Sequence, residues 1–470
     1  MSALCRILLI WCLSQTGHSV NLPDLGHSAR NSITLQHETR LAQALMQQLR
    51  QQRLLIEDPL LTDYIQHLGQ QLAPPEQTFR FFLIDRPDIN AFAGPDGHIG
   101  IHAGLFLTSQ TESELASVLA HEIAHVTQHH LLQAWEKAQS LTLPQAALTL
   151  TSLIVGAATG SDAGLALAAS SQAALHQHQI NFTRQHEQEA DRIGIRLLAE
   201  ANFNPHAKAS FLRRVSQANR LVHTPLPAIL LTHPLNSQRT AEAQDRADDY
   251  SYTQQQPDEL RYHLARVRLT RQQKQPGLTI TQQQTNLQQG RYRNRQAAQY
   301  ALILALQDAQ RHAEAQPYLD QLLAQAPDIP EFILAQVQQD IQHQPEQALR
   351  RLHTALQQMP DNLSLTINHA ELAIAQGQYQ AALTQLQKTH IHRPDAPRIH
   401  QLIARTAAEL QQPDQTHRHL AEYHALQGNL TTAIQHLQYA LRLPDLTTPA
   451  RIRIQARMDA LQTTADQITP

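Results

Sequence analysis

Thr111-Glu112-Ser113-Glu114-Leu115-Ala116-Ser117-Val118-Leu119-Ala120-His121-Glu122-Ile123-Ala124-His125-Val126 decides how this chain reads. Thr111 and Glu114 make a T-x-x-E capping-box pattern, which opens a helix. Leu115, Val118, Leu119, Ala120, Ile123, Ala124 and Val126 keep that helix largely apolar for about five turns. Within it stands H-E-x-x-H. Residues i and i+4 share one helix face, one turn apart. His121 and His125 can therefore share one Zn²⁺ at about 2.0–2.1 Å each, and Glu122 can reach water at that metal as general base. Polar groups in so apolar a helix are costly unless satisfied, and a metal satisfies both imidazoles. A buried, hydrogen-bonded His pair is the plain alternative. In a chain with 28 His, chance alone supplies about 0.07 such motifs, so the surroundings carry the weight.

Those surroundings are those of a long, mainly helical chain. Its 470 residues predict two or more domains. Only 15 Gly and 4 % aromatic residues disfavour a Gly-rich all-β fold. The net charge of −3 offers nothing to nucleic acid. Residues 1–19 read as a signal peptide: Arg6, then the apolar run Ile7 to Leu13, then Gly17-x-Ser19 as the cleavage site. The apolar run is too short to span a bilayer. Trp11 stands before Cys12 where a lipoprotein would carry a small residue. Both cysteines, Cys5 and Cys12, lie in this segment, so the exported chain is expected to have no thiol and no disulfide, which suits an oxidising compartment.

Residues 20–250 are expected to form a metallopeptidase domain of α+β type. Leu41, Leu45, Met46 and Leu49 recur at helical spacing in the helical stretch 30–72. Phe79 to Ile84 and His98 to His102 read as strands of one small sheet, and Asn90-Ala91-Phe92-Ala93 runs into the turn Gly94-Pro95-Asp96-Gly97. A strand so close to the motif helix could pair with an extended peptide substrate, or be merely structural. The small apolar residues of 141–176 read as a helical hairpin or flap near the active site, touching a membrane surface, or as a core helix pair. Residues 251–285 are Gln-rich and predicted to connect the domains. Residues 286–465 then look repetitive, because Pro327-Asp328, Pro360-Asp361 and Pro394-Asp395 recur at a period near that of tetratricopeptide repeats, about 34 residues. Gly377-x-Tyr379-x-x-Ala382 and Gly428-x-Leu430-x-x-Ala433 fit the turn between paired helices. Such an α-helical solenoid offers a concave face for proteins or extended peptides.

A catalytic zinc needs a third protein ligand and an open position. The helix 180–200 offers Glu187 and Asp191, at i and i+4 on one face. One could bind the metal while the other accepts the second ring N–H of a ligating His. Glu189 lies about 200° around the helix and should point elsewhere. A solvated acidic face paired with Arg184 and Arg192 has the same spacing. His129-His130 and His176/His178 have no partners at a recognisable spacing and read as surface or core histidines.

His121-Glu122-x-x-His125 followed by Glu187-x-x-x-Asp191 resembles the gluzincin metallopeptidases of the CAAX-prenyl-protease and HtpX type. Asn90-Ala91-Phe92-Ala93, Gly104-Leu105 and Thr232-His233-Pro234-x-x-x-x-Arg239 are similar to flanking marks of that family. The resemblance implies one zinc per chain on His121, His125 and Glu187, with Glu122 as base and Asp191 supporting a ligand. His233 and Arg239 are the candidates for stabilising the oxyanion, and His233 could instead fill the open zinc position and hold the enzyme latent. The membrane-spanning helices of the CAAX and HtpX branches are not evident. With the export signal and the repeats, the resemblance implies a soluble periplasmic endopeptidase. It would act on unfolded or misassembled outer-membrane proteins, with the repeats docking substrates or the outer-membrane assembly machinery. The alternative is a chaperone-like scaffold with a latent or structural zinc site, against which the intact Glu122 weighs.

Overall fold

The computed structural model describes residues 35–131, 133, 173–221, 229, 233–234, 237–250, 258–273 and 279–468. The expected signal peptide and nearly all of the segment 141–176 lie outside these residues. The architecture is the one the sequence predicts: an α+β domain with a small sheet, then an array of paired helices.

Helix α1, Leu35–Gln51, turns Ala42, Leu45 and Leu49 inward at helical spacing. Helix α2, Pro59–Leu72, starts where the Asp58 carboxylate accepts the Leu60 and Leu61 amides and Pro59 pre-sets the first turn. Between the two helices lies a sheet of β1, Arg80–Ile84, β2, Ala91–Ala93, and β3, His98–His102, in the order β1-β3-β2. β3 is central, parallel to β1 with Arg80 opposite His98, and antiparallel to β2 with Ala91 opposite Ile101. Ala91–Ala93, expected to run straight into a turn, thus forms a third strand at the sheet edge. Alternation sorts the side chains: Phe82, Ile84 and Phe92 meet Leu45 and Leu49 of α1, while Phe81, Leu83, Ile99 and Ile101 join the main core. The reversal between β2 and β3 needs Gly97, whose φ is +69° and whose place leaves no room for a Cβ beside the Thr78 carbonyl.

Helix α3, Ala103–Thr108, leads into α4, Glu112–Thr127, which carries H-E-x-x-H. Thr111 Oγ1 accepts the Glu114 amide at 3.1 Å, and the Glu114 carboxylate reaches back to the Gln110 amide at 2.7 Å. This capping contact falls one residue earlier than a capping box places it. Leu115, Leu119, Ile123 and Ala124 of α4 are fully buried in the largest core. Helix α5, Ala173–Glu200, packs along α4, followed by α6, Ala207–Leu221, and α7, Ser237–Asp248.

The Gln-rich stretch 251–285 contains α8, Leu260–Gln272, whose Tyr262, Ala265 and Leu269 enter the same core as α4. Arg266 in this helix donates to the carbonyls of Phe106, Leu107 and Ser109 and so closes the end of α3. The physical reason is local: Tyr262, Ala265 and Leu269 recur at helical spacing between two Gln runs.

The repeat array runs through α9, Ile280–Gln288, α10, Arg295–Asp308, α11, His312–Gln325, α12, Pro330–His343, α13, Pro345–Gln358, α14, Leu363–Ala375, α15, Tyr379–His392, α16, Pro397–Glu409, α17, Pro413–Leu426, α18, Leu430–Leu441, and α19, Thr448–Ile468. Pro327-Asp328, Pro360-Asp361 and Pro394-Asp395 occupy turns between successive helices. The array bends back onto the first two helices. Arg393 pairs with Asp63 of α2 at 2.9 Å, while Gln47 and Arg50 of α1 donate to the carbonyls of Gly428 and Leu426 at 2.8 and 2.5 Å. No helix among the described residues is long and apolar enough to cross a membrane.

Candidate metal centre

Glu187, Asp191 and Gly194 recur at i, i+4 and i+7 on α5, making one stripe. That stripe lies on α4, and Gly194 lets the helix backbones close up: a Cβ there would stand 3.1 Å from the His121 amide nitrogen. The approach brings Glu187 to the two motif histidines. His121 Nε2 and His125 Nε2 lie 3.2 Å apart. Glu187 Oε2 is 3.3 Å from the first and Glu187 Oε1 is 3.3 Å from the second. His233 comes from the chain between α6 and α7, placing Nδ1 2.8 Å from Glu187 Oε1 and 3.4 Å from His121 Nε2. One ligand atom from each of His121, His125, Glu187 and His233 lies within 4.8 Å of the others.

Behind this cluster stands a layer of carboxylate and cations. Asp191 Oδ1 is 2.9 Å from His121 Nδ1. Asp191 is held in turn by Arg239 through two hydrogen bonds, 2.8 and 3.0 Å, and by Lys208 at 3.0 Å. Arg239 also reaches Glu187 Oε2 at 2.8 Å and the Pro234 carbonyl at 2.9 Å. The structure therefore places Arg239 behind the ligands, 3 % exposed, with its donors given to two carboxylates and a carbonyl. Glu189 is turned away from the ligand atoms, as its position on the helix predicts, but it meets His130 at 3.4 Å.

Two members of this layer escape the sequence pattern. Lys208 is buried on α6, and no local spacing marks it. His130, read from sequence as an ordinary surface or core histidine, lies with Nδ1 2.9 Å from His125 Nδ1 and its ring stacked 3.9 Å above His186. The chain gets there because His129 turns out of the helix at a φ of +54°. His176 and His178 belong to α5.

The field at the cluster suits a cation. Burial alone would raise the Glu187 carboxylate, but the imidazoles of His233 and His121 outweigh it and hold it well below its usual range. Burial likewise works against Asp191, and Lys208 and His121 more than offset it. Burial lowers His125, keeping it in the neutral form that binds metal. Glu122 is 1 % exposed, and neither carboxylate oxygen accepts a hydrogen bond. The nearest cationic group, His233 Nε2, is 3.5 Å from Oε1. A buried carboxylate left this way is costly unless a polar partner comes to it. Imidazoles plus one carboxylate, tightly gathered and backed by hydrogen-bonded carboxylate, are the donor set of a divalent transition metal. The residues present fit such an ion.

Comparison with known proteins agrees with the geometry. Residues 56–247 match the model of peptidase family M48, and residues 341–406 match that of a tetratricopeptide repeat. The chain is 35 % identical over 455 residues to the beta-barrel assembly-enhancing protease of Escherichia coli (strain K12), covering 96 % of this chain and 93 % of that one. The protein of the same name from Yersinia pestis is 35 % identical over 449 residues, covering 94 % and 91 %. The mitochondrial metalloendopeptidase OMA1 of Bos taurus is 34 % identical over 167 residues, or 35 % of this chain and 31 % of that protein.

Proposed function

Because the chain belongs to the beta-barrel assembly-enhancing proteases of peptidase family M48, a family of metallopeptidases, we propose that it is a zinc endopeptidase of the periplasm acting on unfolded or misassembled outer-membrane proteins. The observation that carries the reading is the gathering of four ligand atoms within 4.8 Å beside the buried Glu122 carboxylate, whose oxygens accept no hydrogen bond.

His121, His125 and Glu187 would hold the zinc. When bound there, zinc supplies Lewis acidity, bringing the pKa of water toward about 7 and polarising the scissile carbonyl. Glu122 takes the proton from the attacking water and passes it to the leaving amine. Asp191 accepts the Nδ1 proton of His121, which leaves the Nε2 lone pair for the metal. Arg239 and Lys208 keep Asp191 ionised and placed. His233, seated among the ligands, is assigned as a fourth ligand that holds the resting enzyme latent. A substrate strand would pair with the edge of the sheet at β2, which packs beside α4, and the repeats would dock substrates or assembly partners.

The deciding experiment measures zinc content and casein cleavage in the wild type, Glu122→Gln and Glu187→Ala. Glu122→Gln should keep its zinc and lose cleavage. Glu187→Ala should lose one zinc relative to wild type, and cleavage with it. Wild-type cleavage by Glu122→Gln would end the mechanism, and full zinc retention by Glu187→Ala would end the ligand assignment.

A further inference from the structure

Part of the histidine surplus gathers in the repeats, far along the chain from H-E-x-x-H. His390 lies near the end of α15, His400 in α16 and His419 in α17, three consecutive helices. Their ring centroids are 4.7 Å apart for His390 and His400, 5.1 Å for His400 and His419, and 5.4 Å for His390 and His419. The trio at the metal centre, His121, His125 and His233, has spacings of 4.7, 5.1 and 5.2 Å. The two arrangements are nearly superposable in ring spacing.

The hydrogen bonds point the same way. His400 is 2 % exposed, and its Nε2 lies 2.9 Å from the Pro394 carbonyl. A carbonyl only accepts, so Nε2 carries the proton and Nδ1 carries a lone pair. That Nδ1 accepts from His419 Nδ1–H at 3.0 Å, a shared proton that a metal ion would replace. His390 Nδ1 is buried with no hydrogen-bond partner. A ring tied through its far nitrogen to a backbone carbonyl is how ligating histidines are held. Burial lowers all three imidazoles, His419 to about 3, and so keeps them in the neutral, ligating form.

We propose that His390, His400 and His419 form a second metal site, in the repeats, that takes a borderline divalent cation of the zinc class and ties α15, α16 and α17 together. Three imidazoles favour zinc, copper or nickel over calcium or magnesium, which want oxygen. Among the described residues, only the ligand atoms of the first centre already lie within 4.8 Å of one another, so closure here takes a rotation of the His390 ring. Glu422, one turn beyond His419 and held by Arg457 at 2.8 Å, favours a positive charge at His390 and His400, with Arg457 opposing it at His400. The end of α17 receives Arg50 of α1 at the Leu426 carbonyl. A metal clamp here would therefore stiffen the part of the array that touches the peptidase domain.

The test equilibrates the full chain carrying Glu122→Gln with zinc chloride, removes free metal and counts bound zinc. About two ions per chain are expected, falling to about one when His390→Gln and His419→Gln are added. Adding Glu187→Ala instead should also leave about one, held in the repeats. Circular dichroism checks that the double variant folds. A measurement on the parent alone guards against misfolding: zinc should protect His390 and His419 from diethyl pyrocarbonate, read by mass spectrometry. One zinc per chain in the parent, unchanged zinc in the folded double variant, or no protection of His390 and His419 would each overturn the site.

Discussion

Asp191 Oδ1 stands 2.9 Å from His121 Nδ1, so one nitrogen of the first motif histidine is tied to α5 while the other faces the ligand cluster. A neutral imidazole offers one donor and one acceptor. A proton on Nδ1, facing the Asp191 carboxylate, would leave the Nε2 lone pair free. The carboxylate can accept from that N–H because Arg239 and Lys208 keep it charged in a buried place.

Asp191→Asn should weaken zinc binding by about 10- to 100-fold, because the amide accepts less strongly and leaves two buried cations short of a partner. Chelator competition on the purified chain measures it. Unchanged affinity would remove Asp191 from the support of His121.

Gly194→Ala sets two effects of similar size against each other. Replacing a helical Gly contributes roughly 1 kcal/mol of stability, while a Cβ 3.1–3.3 Å from the backbone of Ala120 and His121 costs roughly 1–3 kcal/mol. The Tm should therefore move little. Zinc affinity should fall several-fold, since backbone atoms cannot rotate away and α5 must step back, carrying Glu187 with it. Gly194→Val should lose both stability and zinc. Wild-type zinc affinity in Gly194→Val would show that this close approach does not set the ligand geometry.

His233→Ala tests the resting fourth ligand. Zinc should stay bound and casein cleavage should rise several-fold, because the position is freed. Burial lowers the His233 imidazole, but Glu187 and Glu122 outweigh it and raise it, so zinc must displace a proton to bind there. A drop in cleavage with zinc retained would assign His233 to the reaction instead.

Glu112, in the first turn of α4, is pushed up to about 7 by burial, although Tyr64 and the Glu259 amide donate to it. Its unfolded value is near 4.3. The folded state thus holds a proton that the unfolded state has already lost between about pH 4.5 and 7. The stabilising contribution is full below that window and is lost as pH rises through it, by on the order of 3 kcal/mol. Denaturant unfolding across this range should show a decline in the wild type that Glu112→Gln flattens. The variant's amide can keep both contacts, its oxygen accepting from the Glu259 N–H and its NH₂ donating to the Tyr64 hydroxyl. Parallel pH profiles would refute the assignment.

Much of this molecule was legible along the chain. Thr111 and the apolar spacing from Leu115 to Val126 locate α4, and i to i+4 spacing puts His121 with His125 and Glu187 with Asp191. Pro-Asp turns at a repeat-length period announce the helical array. The stretch 251–285 reads as a connector because its Gln runs flank the few residues, Tyr262, Ala265 and Leu269, that seat α8 in the core. Composition averages over a helix, whereas packing depends on one face of it.

Sequence by itself determined the helices, their apolar faces and the pairs of polar residues that share a face, because periodicity is a local property of the backbone. Only the tertiary structure decided which faces meet. It set Gly194 against His121, placed Arg239 against Asp191 and Glu187, brought Lys208 and His130 to the ligands, and gathered His390, His400 and His419. Each of these depends on how rigid elements stack across long stretches of chain, and no spacing along the backbone encodes that distance.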